Sequence, residues 1–161
     1  MLKRIHKYQR MADNFYQTVN FHFKVEFTLN EEDVDVRFQS VSGLDVSYDT
    51  EQIKEGGENR FEHVIPTRTK CSPLVLKRGL LKPSDSGLTR WLQKAFNDEE
   101  IDTIETVVVK LLNEEHKPLM LWTINNVWPR SWKMGELNAE QGAVLIETLE
   151  LNYNRLILSE P

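Results

Sequence analysis

The chain contains four histidines and one cysteine, the residue types from which a transition-metal site would be built. No two of them stand at the short spacing of a known zinc-ligand motif. Alternation places two of the histidines on the solvent-facing side of the strands predicted around them. We therefore interpret the histidines as surface residues and expect neither a metal nor another cofactor, with a metal-assisted hydrolase as the alternative. The residues are His6, His22, His63, His116 and Cys71.

Residues 114–116, two glutamates and a histidine, have the side chains of an acid–base site. They are adjacent in a predicted hairpin turn, however, and solvated turn residues rarely have pKa values tuned for catalysis. The sequence also lacks the nucleophile-elbow, zinc-protease, Walker and dinucleotide-binding motifs. Gly56 and Gly57 form a predicted hairpin tip rather than a phosphate-binding loop. We predict that the protein is not an enzyme.

The charge of the chain is unevenly distributed. Its 161 residues carry 20 lysines and arginines against 25 acids, a net charge of −5. The first ten residues hold four of the bases and no acid, so the remainder has 16 bases against 25 acids, a balance of −9. An acidic body argues against a nucleic-acid-binding protein, which needs positive charge to displace counterions. No stretch approaches the ~18 apolar residues of a membrane span.

The basic start of the chain, residues 1–14, is predicted to be a flexible extension, and residues 15–161 a single domain. The extension lacks the apolar segment of a secretory signal, so we expect synthesis without a signal peptide. Met11 is a plausible alternative start. A basic segment that docks on an acidic partner is the other interpretation.

Alternation of apolar and polar residues predicts strands over most of the domain. Residues 21–29 alternate strictly, and residues 34–38 continue as the second strand of a hairpin. Residues 44–66 are mostly polar and turn at 55–59, which predicts a long two-stranded hairpin. Such a hairpin has too few apolar residues to be stable alone. We therefore expect it to pack on the rest of the domain or on another subunit.

One segment changes to the helical period. Leu88, Trp91, Leu92, Ala95 and Phe96 form a single apolar stripe, which predicts a helix over residues 86–97. Its start is predicted at one of the polar residues in the segment 84–86.

The other predicted strands bring the total to seven or eight, with short connections and no alternation of strands and helices. This inventory predicts a mainly β fold: an antiparallel β-sandwich or small barrel with one packed helix and a long protruding β-hairpin. These strands are residues 74–80, 104–112, 119–129 and one or two strands within 143–158.

Four runs of this sequence, in the right order, resemble motifs of one protein family. They begin SVSGLDVSYD, LVLKRGLL, LLNEEHKP and AVLIETLEL and lie within residues 40–70, 74–92, 111–132 and 143–156. The family is the inner-tube protein of contractile tails and injection particles, which include phage tails, extracellular contractile injection systems and tailocins. Its relatives include the haemolysin-coregulated tube protein of type VI secretion. The opening at 14–27 most resembles a baseplate-proximal branch, although it has Gln17-Thr18 where that branch often has two prolines.

The resemblance implies a mechanical function. Family members form hexameric rings that stack into a hollow tube, which sheath contraction drives through a target envelope. The implied partners are five further copies of the chain, adjacent tube rings, the spike hub and baseplate, and the surrounding sheath. The implied location is the bacterial cytoplasm during synthesis and then a phage-tail-like particle. We expect a tube initiator on the spike hub, with a bulk tube subunit or a small-ligand-binding β-barrel as alternatives.

The candidate functional residues are subunit or ring contacts rather than catalytic groups. The predicted hairpin tip is expected at an inter-ring contact. A short basic group and the turn at 113–116 are expected to touch a ring neighbour or the hub. The candidates are Gly56, Gly57, Glu58, Asn59, Arg60, Lys77, Arg78, Asn113, Glu114, Glu115 and His116.

Overall fold

The structure, a computed structural model, describes residues 22–29, 32–53, 63–140 and 142–161. These residues form ten strands and one α-helix joined by short connections. In chain order the elements are β1 Phe23–Leu29, β2 Glu32–Val36, β3 Ser40–Ser42, β4 Val46–Ile53, β5 His63–Cys71, β6 Leu74–Gly79, α1 Gly87–Asn97, β7 Ile104–Leu112, β8 Pro118–Met134, β9 Ile146–Asn152 and β10 Arg155–Ser159.

Eight strands form one continuous antiparallel system around the long strand β8. The strand order is β2-β1-β7-β8-β9-β6-β3, and β10 also pairs with β8. The first part of β8, residues 118–127, pairs with β7, whereas residues 128–134 pair with β9. Strand β8 therefore passes from one sheet to the other, and the two sheets enclose one core.

The core consists of alternate residues from both sheets together with one face of the helix. Val25 and Phe27 of β1 are fully buried, as the period-two pattern of this segment predicted. Leu88 and Leu92 of α1 are fully buried against them, while Phe96, the last residue of the predicted stripe, is 43% exposed. Burying one such aliphatic or aromatic side chain contributes about 1.5–3 kcal/mol to stability. The predicted fold class is confirmed.

Strand β8 is longer than predicted. We expected it to end at Pro129, but it runs on to Met134. Pro129 lies where the register with β9 shifts, between Pro129 and Ser131. A proline is tolerated at such an irregularity because its missing N–H is not needed for a regular ladder hydrogen bond. The prediction of seven or eight strands was also low, because the short strand β3 was not predicted and residues 143–158 form two strands, β9 and β10.

The bend of β8 is marked by Asn126, which has φ 55° within the strand. This left-handed conformation is unfavourable for most residues, less so for asparagine, and costs glycine nothing. We predict that Asn126→Gly will leave stability unchanged or raise it, whereas Asn126→Val will lower it by about 1–3 kcal/mol. Asn126 is exposed, so loss of packing does not contribute to the difference in stability between the two variants. Urea denaturation of both variants provides the test, and equal stabilities would contradict the prediction.

Several predictions lie outside the described residues. They are the basic extension at 1–14 and the turn at 55–59, so the predicted division into extension and domain stays a prediction. Within the described part of the chain, no helix combines the length and apolar character that crossing a membrane requires.

Candidate functional site

Strands β4 and β5 pair only with each other and form a separate two-stranded sheet, which we call the arm (residues 46–53 and 63–71). Seven register pairs join the two strands, with an irregularity between Tyr48 and Thr50. Every residue of β4 is exposed, and so is every residue of β5 except Cys71. The predicted hairpin is thus confirmed, although β5 continues five residues beyond the predicted end at Pro66.

The arm exposes large apolar side chains that the core of its own chain does not cover. Tyr48 is 65% exposed and Val64 57%, and Val46, Ile53 and Ile65 are between 39% and 47% exposed. An isolated hairpin is marginally stable in water, and clustered exposed apolar residues mark interaction surfaces. The arm therefore has the properties of a surface that binds another protein.

The arm emerges from a tightly closed root. Gly43 has φ 84°, and a Cβ at this position would lie 1.9 Å from the carbonyl oxygen of Pro73. The backbones before β4 and after β5 are therefore in direct contact here. The Ser72 hydroxyl donates a hydrogen bond to the Asp45 carboxylate across the same gap. The glycine of the VSGL motif at 41–44 thus has a structural role, because only glycine fits where these two backbone segments meet.

Tyr153, just after β9, joins the root of the arm to the rest of the domain by a hydrogen bond. Its hydroxyl donates a 3.1 Å hydrogen bond to the carbonyl oxygen of Gly43. Burial raises the pKa of Tyr153 to about 12, and the neighbouring Cys71 and Asp45 add to the effect. The phenol is consequently held in its neutral, donating form across the physiological range.

This raised pKa predicts a loss of stability in alkali. The ordinary pKa of tyrosine is about 10, so between about pH 10 and pH 12 the folded state retains a proton that the unfolded state has released. Stability present below pH 10 is therefore lost as the pH rises towards the folded-state pKa of about 12. Urea midpoints measured across this window should fall more steeply for the wild type than for Tyr153→Phe. Tyr48→Phe, at a tyrosine that is 65% exposed, is the control and should keep the wild-type slope. Equal slopes for the wild type and for Tyr153→Phe would contradict the prediction.

Arg78 does not belong to an exposed basic group, which corrects our prediction for this residue. Its side chain is 1% exposed, whereas that of its neighbour Lys77 is exposed. The guanidinium forms a buried ion pair with Glu147, which is fully buried. Arg78 is therefore unavailable for contact with a neighbouring subunit, because its charge is neutralised inside the domain.

The Arg78–Glu147 pair is the centre of a polar network that holds the start of α1. Arg78 also donates hydrogen bonds to the hydroxyls of Thr89 (2.7 Å) and Ser86 (3.2 Å). Ser86 caps the helix by accepting a hydrogen bond from the backbone N–H of Thr89. The second carboxylate oxygen of Glu147 accepts a 2.7 Å hydrogen bond from the Trp132 indole. The network joins β6, β8, β9 and α1, so we expect it to determine where the helix packs.

The predicted turn at 113–116 is confirmed as the connection between β7 and β8. The Asn113 side chain accepts hydrogen bonds of 2.9 Å from the backbone N–H groups of Glu115 and Lys117. Glu114, Glu115 and His116 are exposed, so they lie where another subunit can reach them. The turn is an exposed, charged surface.

The structure brings together two histidines that the sequence did not connect. Nδ1 of His116 lies 2.8 Å from Nε2 of His22, and the rings meet edge to face. Sequence spacing could not reveal this contact, because the residues are far apart in the chain and meet only through the pairing of β1 with β7. In the described part of the sequence, no three histidine, cysteine, aspartate or glutamate side chains are grouped so as to hold a metal.

Comparison with known proteins agrees with this architecture. Residues 19–157 match the family of the T4-like virus tail tube protein gp19. A chain of the cryo-EM structure of the anti-feeding prophage (AFP) baseplate, 6-fold symmetrised, is 33% identical over 90% of this chain and 97% of that one, with a TM-score of 0.83. The chain belongs to the T4-like tail tube protein family.

More distant tube proteins share the fold. A chain of the sheath–tube complex of the PVC extracellular contractile injection system is 24% identical, with a TM-score of 0.75 over 95% of this chain and 97% of that chain. A crystal structure of an Hcp protein has 10% identity and a TM-score of 0.57 over 86% of this chain and 91% of that one. No curated protein sequence gives a significant match. The protein is thus a tail tube protein related to those of contractile injection systems.

Two residues of this tube protein's buried network carried a signal in the sequence that we did not use. Glu147 occupies the same side of its predicted strand as Leu149 and Leu151, which are fully buried. A charged residue at a core position requires a partner of opposite charge. Arg78 lies in the LKRG run of the neighbouring strand and could have been proposed as that partner.

Proposed function

We propose that six copies of this tail tube protein form a ring, that rings stack into a hollow tube, and that this chain starts the tube on the spike hub at the baseplate. Its partners in this role are the hub, the next tube ring and the surrounding sheath. The role is mechanical, and we propose no catalytic activity. The protein would be made in the bacterial cytoplasm and then become part of a phage-tail-like particle.

The exposed residues of the arm are evidence for assembly into rings. It exposes Tyr48 and Val64 to solvent in the single chain, and both would be covered by a neighbouring copy. The described sheet also ends at β2 and β3, each of which pairs on one side only. Edge strands of this kind are protected in native proteins by further pairing, and repetition around a closed ring provides that pairing.

The observation that carries the initiator role is the relationship to the baseplate chain. Identity is 33% to the chain from the 6-fold symmetrised AFP baseplate, against 24% to the chain from the PVC sheath–tube complex. An initiator needs one face for the hub and the other for the next ring. We propose that the contact residues are drawn from the predicted hairpin tip (Gly56, Gly57, Glu58, Asn59 and Arg60), from Lys77 and from the turn at 113–116.

Copy number in the native particle tests the initiator role. A tube initiator should be present at six copies per particle, the number given by a single 6-fold ring, whatever the length of the tube. A bulk tube protein would rise in number with the sheath protein. Quantitative mass spectrometry of particles sorted by length measures this ratio. A constant ratio to the hub protein supports the proposal, and a constant ratio to the sheath protein would assign the chain to the bulk tube.

The ring itself is tested with the purified protein. Native mass spectrometry and negative-stain electron microscopy should show six-membered rings with a central hole. A protein that stays monomeric at every concentration, alone and with its hub, would refute the tube role. A stoichiometric small molecule in the native spectrum would instead favour the ligand-binding barrel.

A further inference from the structure

The contact between His22 and His116 brings two metal-ligand side chains to one place on the surface. The two facing nitrogens are 2.8 Å apart, and the ring centroids are separated by 4.5 Å. At this distance one imidazole nitrogen donates its hydrogen to the lone pair of the other. The two nitrogens therefore converge at one location, which is what an ion bound by two imidazoles requires.

Only a small displacement separates the observed geometry from that of a metal chelate. A bond from zinc to an imidazole nitrogen is about 2.0–2.1 Å long, so two such nitrogens on one ion stand about 2.9 Å apart at a right angle and about 3.3 Å apart at the tetrahedral angle. The observed distance of 2.8 Å is shorter by about 0.1–0.5 Å. His116 is exposed, so rotation about its side-chain bonds can provide this displacement without movement of the backbone.

The backbone at both histidines is held in place without a metal. The N–H of Leu112 donates a 2.9 Å hydrogen bond to the carbonyl oxygen of His22, next to the pairing of β1 with β7. In the turn, the N–H of His116 donates a 3.1 Å hydrogen bond to the carbonyl oxygen of Asn113. An ion bound between positions fixed in this way does not have to order the chain, so less of its binding free energy is lost to conformational entropy.

The charges near the two histidines are compatible with a bound cation. The turn after β7 contains two glutamates, Glu114 and Glu115, against the single base Lys117. Lys117 forms a 2.7 Å ion pair with Glu115, which compensates its charge. On β1, Lys24 forms a 3.2 Å ion pair with Glu26. Each of these lysines thus has a carboxylate beside it, and Glu114 adds a negative charge that favours a divalent cation.

We propose that Nε2 of His22 and Nδ1 of His116 bind a divalent transition-metal ion of the Zn²⁺ or Cu²⁺ class. Imidazole is a preferred ligand of these ions, and each ring would keep its hydrogen on the other nitrogen. Two protein ligands leave coordination positions for water, so the ion is exchangeable and folding does not depend on it. The bound ion would link the start of β1 to the turn between β7 and β8. This inference goes beyond the proposed tube function and revises our expectation that the chain binds no metal.

Metal titration of the purified full chain tests the proposal. In the Cys71→Ser background, which removes the only thiol, calorimetry with Zn²⁺ should give one ion per chain. His22→Gln and His116→Asn should each weaken binding about 100-fold or more, because the loss of one ligand turns a chelate into a single contact. Asparagine is chosen at residue 116 because it tolerates the backbone φ of 62°. Unchanged Zn²⁺ binding in either variant would overturn the inference.

The other two histidines provide the matched control. The double variant His6→Ala with His63→Ala should bind Zn²⁺ like the parent chain, and a loss of binding there would place the ion elsewhere and refute the site. All variants should keep the parent's urea midpoint without metal, which shows that they are folded.

Electron paramagnetic resonance with Cu²⁺ counts the ligands directly. The parent chain should show coupling to two imidazole nitrogens, and each single variant coupling to only one. A parent spectrum with one nitrogen, or a parent chain that binds no Zn²⁺, would overturn the inference. Because binding by one chain does not depend on ring formation, these results would leave the proposed function intact.

Discussion

Arg78→Ala should destabilise the domain by about 3–5 kcal/mol, because it leaves the Glu147 carboxylate buried without its partner. The same substitution removes the hydrogen-bond donor to Thr89 and Ser86 at the start of α1. A loss of this size is a large share of the 5–15 kcal/mol by which domains are usually stable. We expect the variant to unfold at markedly lower urea concentration and to accumulate poorly during expression.

A matched pair of variants separates the loss of the buried ion pair from the loss of a positive charge in general. Lys77→Ala removes the adjacent, exposed positive charge and should change stability by no more than about 0.5 kcal/mol. If Arg78→Ala instead cost as little as Lys77→Ala, the buried ion pair would not have the role that we assign to it.

A double-mutant cycle then measures the coupling between the two charges. Arg78→Met with Glu147→Leu removes both charged groups and leaves apolar side chains in their place. The double variant should lose less stability than the two single substitutions together, because neither charge remains uncompensated. Some loss should persist, since the Trp132 indole and the Thr89 hydroxyl would lack their partners. Additive losses would show that the two side chains act independently.

The sequence predicted the local elements well where burial alternates strictly. Strand β1 and helix α1 lie within about two residues of their predicted bounds, because Val25, Phe27, Leu88 and Leu92 all face the core. The arm was also predicted, since its polar alternation and central turn are local features. Strand β8 was predicted too short because Pro129 normally ends a strand, and only the pairing with β9 shows that an irregularity accommodates it.

The contact residues were harder to predict, because exposure depends on the whole fold. Lys77 and Arg78 are neighbours of the same charge, yet only one reaches solvent, since successive side chains of a strand point to opposite faces. His22 and His116 meet through strand pairing that their positions in the chain do not indicate.

Gly43→Ala should be among the most damaging single substitutions in the described chain, because it combines two independent costs. At φ 84° a non-glycine residue is strained by about 1–3 kcal/mol. The new Cβ would lie 1.9 Å from the Pro73 carbonyl oxygen, 2.9 Å from its carbonyl carbon and 3.2 Å from Cα of Leu74. These atoms are backbone and cannot rotate away, so the overpacking adds about 1–3 kcal/mol more. We therefore expect a total loss of about 2–6 kcal/mol, measured by urea denaturation.

The location of Gly43 gives this substitution a second consequence. Pro73 must move to accept the Cβ, and Pro73 immediately precedes the first strand that carries core residues after the arm. The hydrogen bond from Tyr153 to the Gly43 carbonyl would be displaced as well. Any Gly43→Ala protein that does fold should therefore project its arm in a different direction and form rings or stacks only at higher concentration. Gly142→Ala is the matched control, because no atom lies within 4 Å of the added Cβ, and it should leave both stability and assembly unchanged. If the two alanine variants behaved alike, the close approach of Gly43 and Pro73 would not be what closes the root of the arm.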